Sequence, residues 1–260
     1  RQNVSGVILL SEIKTGFPFA IVDGTLITAL RTACLGAIGA KYLARKDSTV
    51  YGTIGTGEQA KTHFLLIKTL FPKIKTCYVA SRTSKSEEAF IQVMKKKFED
   101  VTFIACNSDY DLAAKNADII VTAVSCQEPL LKAKSIKKGA FYCHVGGWED
   151  EYSVPLRADK IVCDDWASLK HRGSPTIARM YEEEILMDED IYANLADIIS
   201  GKLPGRESDL EFIYFNSIGL SFVDVSVAYY IYQEVISKGF GKDWTIQNAD
   251  TFEVLEDLDF

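Results

Sequence analysis

The sequence predicts an α/β protein in which a doubly wound parallel sheet is inserted into a second, α+β domain. From residue 49 to residue 213, short β-branched and aromatic runs alternate with amphipathic helical stretches, joined by short connections. A glycine-rich turn separates the first of these runs from its helix. Residues 1–48 and 214–245 lie outside the alternation, and we expect them to form the second domain together, followed by an acidic tail at 246–260.

The composition is typical of a soluble globular chain. Of its 260 residues, 47% are hydrophobic and 25% are charged, and the formal net charge is -7. Lys and Arg are scattered, which argues against nucleic acid or an anionic membrane as a partner, and no apolar run reaches the length of a membrane span. The six cysteines stand singly, without a C-x-x-C pair or a histidine at ligand spacing. We therefore expect reduced thiols, a cytoplasmic location and no metal site.

The N-terminal part contains two predicted strands and one long helix. Residues 6–10 and 19–22 are apolar runs around a loop with Gly16 and Pro18, which indicates two strands. Residues 26–45 have helical periodicity, and alanines recur along one face, so this helix can approach a neighbour closely. Because the sequence starts at Arg1 without an initiator Met or a signal-peptide pattern, we expect a further segment upstream.

The glycine-rich turn at residues 55–60 has the pattern G-x-G-x-x-A of a Rossmann dinucleotide site. Gly55 can adopt the backbone angles of the turn, Gly57 lets the main chain approach a pyrophosphate, and Ala60 allows the helix to pack closely on the strand. Free N–H groups of the helix would face the phosphates. The strand before the turn, the helix after it and a second strand at 76–80 favour this interpretation over an ordinary glycine turn.

The alternation of strands and helices continues along the chain. We expect helices at 85–98, near Leu112, at 174–186 and at 190–200, and strands at 101–105, 118–124, 140–145 and 161–163. Residues 201–205 form a clear loop. Residues 212–219, and an amphipathic helix from about Val223 to Gly239, have no place in this alternation. We expect them to return and pack beside residues 1–45.

With these motifs, the chain resembles the ornithine cyclodeaminase and mu-crystallin family. The resemblance rests on four motifs that recur in the family's order and spacing over residues 6–238. They are Asp23-Gly24 followed by Thr28-Ala29-Leu30-Arg31-Thr32-Ala33, then Gly55-Thr56-Gly57-Glu58-Gln59-Ala60, then Ala117-Asp118-Ile119-Ile120-Val121-Thr122-Ala123, and Ser217-Ile218-Gly219 with Asp224 and Ala228.

This resemblance implies a Rossmann domain inserted into a second domain that forms a homodimer and holds the substrate. Family members are NAD(P)-dependent cyclodeaminases, alanine and other amino-acid dehydrogenases, ketimine or pyrroline-carboxylate reductases, and the NADPH-binding mu-crystallin. Their N-terminal part also supplies a lysine and an arginine to the substrate carboxylate, and we expect that part to be missing from this sequence. The expected substrate is a small amino or imino acid.

Arg31 is the candidate substrate anchor. It shares a helix face with Leu35, Ile38 and Tyr42, so its guanidinium is expected in a mostly apolar setting, where a charge needs a partner. That partner is either a substrate carboxylate, held through the planar fork, or a protein carboxylate. The resemblance matches Arg31 to the family's carboxylate-binding arginine.

The cofactor contacts are predicted at the strand ends. Ser81, Arg82 and Thr83 follow the second strand, where an NAD-specific site would place an acid on the ribose; an arginine beside hydroxyls favours NADP(H), with NAD(H) as the alternative. Further candidates lie on the glycine turn, after the fourth and fifth strands and at the expected domain junction: Thr28, Gly55, Thr56, Gly57, Glu58, Gln59, Thr122, Ala123, Val124, Ser125, Val145, Gly146, Ser217 and Gly219.

Candidate acid–base groups follow the fifth strand. In the cyclodeaminases an aspartate comes after the glycine pair, whereas this sequence has Trp148 there, which argues against a cyclodeaminase. Glu149 or Asp150 could substitute as acid or base, although a run of acids is more often a solvated loop. His144 could donate a proton near the nicotinamide, or could be a hydrogen-bonded core histidine.

Three functional hypotheses result. The leading one is an NAD(P)-dependent oxidoreductase that interconverts a small α-amino acid with its imine or keto acid. The second is ornithine cyclodeamination, a lyase reaction that uses the same bound cofactor in a closed redox cycle. The third is an NADPH-binding protein without turnover.

Overall fold

A parallel eight-stranded sheet forms the centre of the structure, a computed structural model that describes residues 5–245. The strands in these residues are β1 (Val7–Ser11), β2 (Pro18–Asp23), β3 (Val50–Ile54), β4 (Thr76–Ala80), β5 (Thr102–Ala105), β6 (Ile119–Thr122), β7 (Phe141–His144), β8 (Lys160–Cys163), β9 (Ala193–Asn194) and β10 (Ile213–Asn216). The large sheet has the order β5-β4-β3-β6-β7-β10-β8-β9. The order reverses between β3 and β6, and such reversals are where open α/β sheets bind ligands. The predicted doubly wound fold is confirmed.

Helices cover both faces of this sheet. They are α1 (Gly24–Leu43), α2 (Glu58–Leu70), α3 (Ser84–Lys95), α4 (Tyr110–Lys115), α5 (Ser153–Leu156), α6 (Trp166–Leu169), α7 (Thr176–Glu182), α8 (Leu195–Ile199) and α9 (Ser221–Ser237), with 3-10 turns at Ala133–Ser135 and Asp188–Asp190. Side chains alternate between the two faces, so Phe141 and Cys143 join one apolar core and Tyr142 joins the other. The first core includes α2 and α3, and the second includes α4 and α7.

Helix α1 connects the large sheet to an N-terminal hairpin, in which β1 and β2 pair in antiparallel orientation. A Cβ added at Gly36 would lie 2.6 Å from the His63 ring, and one at Gly39 would lie 2.8 Å from the Phe215 ring. The small residues therefore let α1 pack directly on α2 and on the sheet. Elsewhere along α1, Ile27 forms a small core with Ala228 of α9, so α9 packs beside the N-terminal part as expected.

Helix α1 corrects the expectation that no apolar run reaches the length of a membrane span. Its 20 residues contain an 18-residue window with a mean hydropathy of 1.2, which is long and apolar enough to cross a membrane by length and composition. In the folded chain, 44% of this window is buried. Its apolar character is explained by its packing between the sheet and α9.

The predicted helix at residues 190–200 is wrong. Asp188–Asp190 forms a 3-10 turn, Ala193–Asn194 forms β9, and only Leu195–Ile199 is α-helical. The Tyr192 amide donates to the Ile161 carbonyl oxygen at 2.9 Å, which places this segment along the sheet edge. Tertiary pairing with β8 therefore overrides the local helical pattern.

The expectation that residues 212–219 lie outside the strand alternation is also wrong. Strand β10 lies inside the large sheet and pairs in parallel with both β7 and β8. The expected domain boundary at residues 213 and 214 thus falls within a strand. β10 is buried on both faces, and the run from Phe212 to Phe215 has the continuous apolar sequence of an interior parallel strand.

Candidate active site

The glycine turn lies at the carboxyl end of β3, beside the point where the strand order reverses. Gly55 has a φ of +114°, and a Cβ there would collide with the Ala123 carbonyl oxygen, so this position requires glycine. Gly57 is the N-cap residue of α2, and a Cβ added there would meet no atom within 4 Å. No side chain caps α2, which leaves the amides of its first turn for a ligand. These features fit a dinucleotide pyrophosphate.

Polar contacts connect this turn to α1 and α9. Gln59 Nε2 donates to the Thr28 carbonyl oxygen at 3.4 Å, and Thr28 Oγ1 donates to Asp224 Oδ1 at 3.3 Å. Asp224 Oδ1 also accepts from Arg31 Nε at 2.9 Å. The predicted cofactor turn and the predicted substrate anchor are therefore connected through neighbouring side chains. Glu58 points to solvent and pairs with Lys61.

Arg31 lies against the turn that follows β10. Its side chain is only 14% exposed, and a Cβ at Gly219 would collide with the guanidinium, so glycine allows this close approach. Asp164 Oδ2 accepts from the Gly219 and Ile218 amides at 2.7 and 2.9 Å, which fixes the turn. Burial raises the pKa of the Asp164 carboxyl, and these amide hydrogen bonds oppose that effect. The pairing with Asp224 uses Arg31 Nε.

Glu149 joins the ends of β6 and β7. Its fully buried carboxylate accepts from Thr122 Oγ1 at 2.6 Å and from the amides of Val124, Val145 and Gly146 at 2.7, 3.2 and 2.9 Å. A Cβ at Gly146 would collide with this carboxylate. The two segments predicted to line the nicotinamide are thus held together by one side chain.

His144 and Asp150 form a second buried group behind this turn. Asp150 Oδ1 lies 3.3 Å from His144 Nε2 and accepts from Thr176 Oγ1 at 2.8 Å and from Tyr142 Oη at 3.2 Å. His144 and Asp150 are both fully buried. Burial raises the pKa of the Asp150 carboxyl to about 6, although His144 and these hydrogen bonds act in the opposite direction. Asp150 Oδ2 and His144 Nδ1 have no hydrogen-bond partner among the described residues.

The expected ribose site lies after β4. Ser81 Oγ donates to the Thr83 carbonyl oxygen, and Thr83 caps α3, so both hydroxyls are used internally. Arg82 is exposed. The nearby Glu87 carboxylate is buried and accepts from the amides of Ser81, Asn107 and Ser108 at 2.8–2.9 Å. Within residues 5–245, Arg82 is therefore the predicted residue of this group whose side chain makes no hydrogen bond.

Ser217 and the remaining candidates border the same sheet edge. The Ser217 amide donates to the His144 carbonyl oxygen, and its buried hydroxyl lacks a hydrogen-bond partner within residues 5–245. Thr56, Ala123 and Val124 are half-buried, and Ser125 is exposed. The structure therefore brings the predicted cofactor residues to one edge of the sheet.

Sequence reasoning missed several residues that shape this edge. Asp164 directly follows β8, so its position after a parallel strand was a usable signal. Glu87 and Thr176 lie inside predicted helices, and nothing in their local sequence indicates their buried hydrogen bonds. Contacts of this kind depend on the tertiary arrangement of the strands.

A surface cavity of about 390 Å³ lies at the other edge of the sheet. It is lined by Arg157, Asp159, Phe212 and neighbouring residues, which precede β8 and β10. Ligands of open α/β sheets bind at the carboxyl ends of strands. We therefore place the candidate site at the edge that contains Gly57 and Gly146.

This fold and site define an α/β protein with a glycine turn of the Rossmann type and an anchored guanidinium at the same sheet edge. Comparison with known proteins identifies its family. The chain belongs to the ornithine cyclodeaminase/mu-crystallin family, whose model matches residues 1–239. The resemblance found in the sequence motifs is confirmed.

Three relatives illustrate this family. The N-((2S)-2-amino-2-carboxyethyl)-L-glutamate dehydrogenase of Staphylococcus aureus is 30% identical over 240 residues, which cover 92% of this chain and 71% of that relative. A Delta(1)-pyrroline-2-carboxylate reductase of Thermococcus litoralis, solved with NADH and L-proline, has a TM-score of 0.86 at 30% identity, covering 94% of this chain and 76% of that one. An archaeal alanine dehydrogenase dimer with bound NAD has the same TM-score and identity, with coverage of 94% and 75%.

These relatives confirm the predicted class of enzyme, an NAD(P)-dependent oxidoreductase of this family. They are dehydrogenases and a reductase, and the two structures contain NADH or NAD. The preference for NADP(H), the homodimer and the cytoplasmic location remain predictions, as do the individual site residues.

Proposed function

We propose that this protein transfers hydride between NAD(P) and a small α-amino acid, interconverting that acid with its imine or keto acid. The observation that carries the proposal is the placement of Arg31 and Gly57 at one sheet edge, connected through Gln59, Thr28 and Asp224. An anchor for a carboxylate and a cradle for a pyrophosphate are both needed to hold Cα against a nicotinamide. The relatives' substrates, which are amino or imino acids by name, support this class.

The cofactor is held by backbone more than by side chains. The amides of the first turn of α2 would hold the pyrophosphate, and Gly57 would leave room for it. When bound, the nicotinamide accepts or donates the hydride. Glu149 keeps the segments at Thr122–Ser125 and Val145–Gly146 together, which fixes the wall against which the nicotinamide is expected to lie.

Arg31 orients the substrate. Asp224 accepts from Nε, and the guanidinium lies against Gly219. Within residues 5–245 no hydrogen bond uses the two Nη nitrogens, which we propose bind a substrate carboxylate. A guanidinium binds a carboxylate through two parallel hydrogen bonds, which fixes its plane as well as its position. The sequence left open whether Arg31 pairs with a substrate carboxylate or with a protein carboxylate. In this proposal it pairs with both, because the Asp224 carboxylate positions the guanidinium that binds the substrate.

The buried acids are better suited to positioning than to direct proton transfer. Glu149 and Asp150 are fully buried in the described chain, and each accepts several hydrogen bonds. His144 is buried behind the same turn and contacts Asp150. We propose that Glu149 fixes the nicotinamide wall and that Asp150 with His144 fixes the start of α7. The proton exchanged with the substrate amine then comes from another group or from water.

The cofactor preference is proposed to be NADP(H). Glu87 contacts the end of β4 through the Ser81 amide, and its carboxylate is already used by three amides. Residues 81–86 contain no acid for the ribose hydroxyl, whereas Arg82 is exposed and suits a 2′-phosphate. NAD(H), which the two structural relatives contain, is the alternative.

A homodimer is proposed on the basis of α9. This helix of 17 residues is strongly apolar, yet only Ala228 is fully buried. Phe222 and Tyr230 are 65% and 64% exposed. A second copy of this chain would cover such a surface, and the archaeal alanine dehydrogenase is a dimer. The six free thiols support a cytoplasmic location.

The test is a substrate screen at 340 nm with the full chain. NAD+ and NADP+ are each offered with L-alanine, L-proline, L-ornithine and N-((2S)-2-amino-2-carboxyethyl)-L-glutamate, and the corresponding imines are offered with NADH and NADPH. We expect cofactor reduction or oxidation with at least one pair. Net release of ammonia from ornithine without change at 340 nm would favour the lyase, and tight NADPH binding without turnover of any compound would favour the binding protein.

A further inference from the structure

Helix α7 contacts the segment that follows β7, and β7 pairs with β10, whose following turn lies against Arg31. Thr176, its first residue, donates to Asp150 at 2.8 Å. A Cβ added at Gly147 would lie 3.9 Å from Ser174, just before the helix. Arg179 is one turn further along α7 and is half-buried. The helix therefore delivers a cation to the segment that follows the glycine pair.

Arg179 stacks on Trp148 at this position. The guanidinium carbon lies 4.3 Å from the centre of the indole ring, and the Trp148 carbonyl oxygen accepts from Cys126 Sγ at 3.0 Å. The stack and this hydrogen bond hold the side chain and backbone of Trp148 in place. Trp148 occupies the position at which the resembling cyclodeaminases have an aspartate.

Two buried N–H donors in this stack lack an acceptor. Arg179 Nε and Trp148 Nε1 have no hydrogen-bond partner within residues 5–245. Among the described residues no ion pair joins Arg179 to a carboxylate. Its guanidinium interacts with the Tyr152 hydroxyl, which donates to Glu183 Oε1 at 2.6 Å, so Nε is the Arg179 nitrogen that lacks an acceptor. A buried donor without a partner is unfavourable, and two adjacent ones indicate an acceptor supplied by a ligand.

We propose that Arg179 and Trp148 form a subsite for a second carboxylate of the substrate, separate from the carboxylate held by Arg31. A guanidinium stacked on an aromatic ring is pre-organised, so it loses little freedom when it binds an anion. The proposal rests on the function proposed above and narrows its substrate class to amino or imino acids with an additional acidic group. An acid at position 148 would repel such a group, and the indole removes that repulsion.

The experiment measures binding of two keto acids to the complex of the full chain with reduced cofactor. 2-Oxoglutarate carries the second carboxylate, and 2-oxopentanoate has the same chain length without it. Isothermal titration gives both dissociation constants for wild type, Arg179→Gln, Trp148→Phe and Lys97→Gln. Lys97 is an exposed lysine just after α3, so its replacement removes the same charge away from the site.

We expect wild type to bind 2-oxoglutarate at least about tenfold more tightly than 2-oxopentanoate. Arg179→Gln should remove that advantage, Trp148→Phe should reduce it while keeping the ring, and Lys97→Gln should leave it unchanged. The subsite would be overturned if Arg179→Gln weakened the binding of both acids equally, or if it weakened the binding of the reduced cofactor instead. It would also be overturned if wild type bound the two acids with equal affinity. In those cases, binding of 2-oxopentanoate that depends on Arg31 would leave the proposed function standing. Wild type that binds cofactor but neither acid would also overturn the subsite, and the proposed function itself would be overturned only by the absence of turnover in the screen at 340 nm.

Discussion

Gly55 and Gly57 belong to one turn, but the structure constrains them differently. Gly55 has a positive φ and contacts the Ala123 carbonyl oxygen, so its constraint comes from the protein. A Cβ at Gly57 would meet open space, so the fold does not require glycine there, and we propose that the cofactor does. The sequence motif does not distinguish the two glycines. Their surroundings in the structure show which glycine the fold requires and which one leaves space for a ligand.

Replacing Gly57 with Val should weaken NADPH and NADH binding at least tenfold, about 1.4 kcal/mol, because the side chain enters the space of the pyrophosphate. The thermal unfolding midpoint should stay near that of wild type, since no protein atom lies within 4 Å of the added Cβ. The matched variant Gly55→Ala should instead lower the midpoint. Fluorescence titration of the cofactor measures binding, and wild-type affinity in Gly57→Val would rule out this turn as the pyrophosphate site.

Arg82→Ala tests the choice of cofactor. A guanidinium contributes roughly 1.5–3 kcal/mol through a charge-assisted hydrogen bond, so NADPH binding should fall by about ten- to a hundredfold. NADH lacks the 2′-phosphate, and its affinity should change little. Similar losses for both cofactors, or none for either, would show that Arg82 contacts no phosphate at this position. Lys85→Ala, an exposed cation at the start of α3, serves as the control.

At the scale of elements, the strands that were predicted well have buried apolar runs with turn residues on both sides. Residues 76–80 are an example, and β4 has these bounds. The segment at 190–200 failed because its strand has two residues and depends on pairing with β8. Strand β10 was assigned to the wrong unit because its place between β7 and β8 is set by a crossover, which local sequence does not show.

The contact between β7 and α7 should make stability depend on pH through Asp150. Its pKa is about 6 in the folded protein, above the value of 3.8 for a free carboxyl. Between these values the folded protein keeps a proton that the unfolded chain has lost, so this contribution to stability decreases as pH rises through about 6. About two pH units at 1.4 kcal/mol each give a change of up to about 3 kcal/mol.

Urea unfolding of wild type and Asp150→Asn between about pH 4.5 and pH 7 measures this effect. The stability of wild type relative to the variant should fall with rising pH. Asp118→Asn is the control: burial alone would raise the pKa of Asp118, but hydrogen bonds from Lys137 and two amides lower it overall. Its stability difference from wild type should therefore be flat in this window. A flat difference for Asp150 as well would contradict the raised pKa.

At the scale of the whole molecule, the exposed face of α9 predicts a dimer. Tyr230→Glu places a charge on this face and should shift the protein toward monomer in sedimentation velocity. Val93→Glu adds the same charge on α3, where Val93 is 51% exposed, and should leave the dimer intact. A monomeric wild type would rule out the dimer. A dimer that tolerates Tyr230→Glu and not Val93→Glu would place the interface away from α9.

The sequence predicted more of the overall architecture than of the candidate site. Alternating strands and helices with a G-x-G-x-x-A turn predicted the sheet and the cofactor edge, because both depend on local patterns. The pairing of Arg31 with Asp224 joins residues 193 positions apart, and that of Asp164 with Gly219 joins residues 55 apart. Such contacts exist only once the strand order is set, so the sequence alone left the partner of Arg31 open.

The most direct test of the central claim compares substrate use and cofactor binding in Arg31→Lys. We expect kcat/KM for the substrate found by screening to fall about ten- to a hundredfold, since a lysine cannot form two parallel hydrogen bonds. The dissociation constant of the cofactor and the unfolding midpoint should stay close to wild type. Wild-type kcat/KM in a stable Arg31→Lys protein would contradict the account, because the proposed substrate carboxylate would then have no anchor at this site.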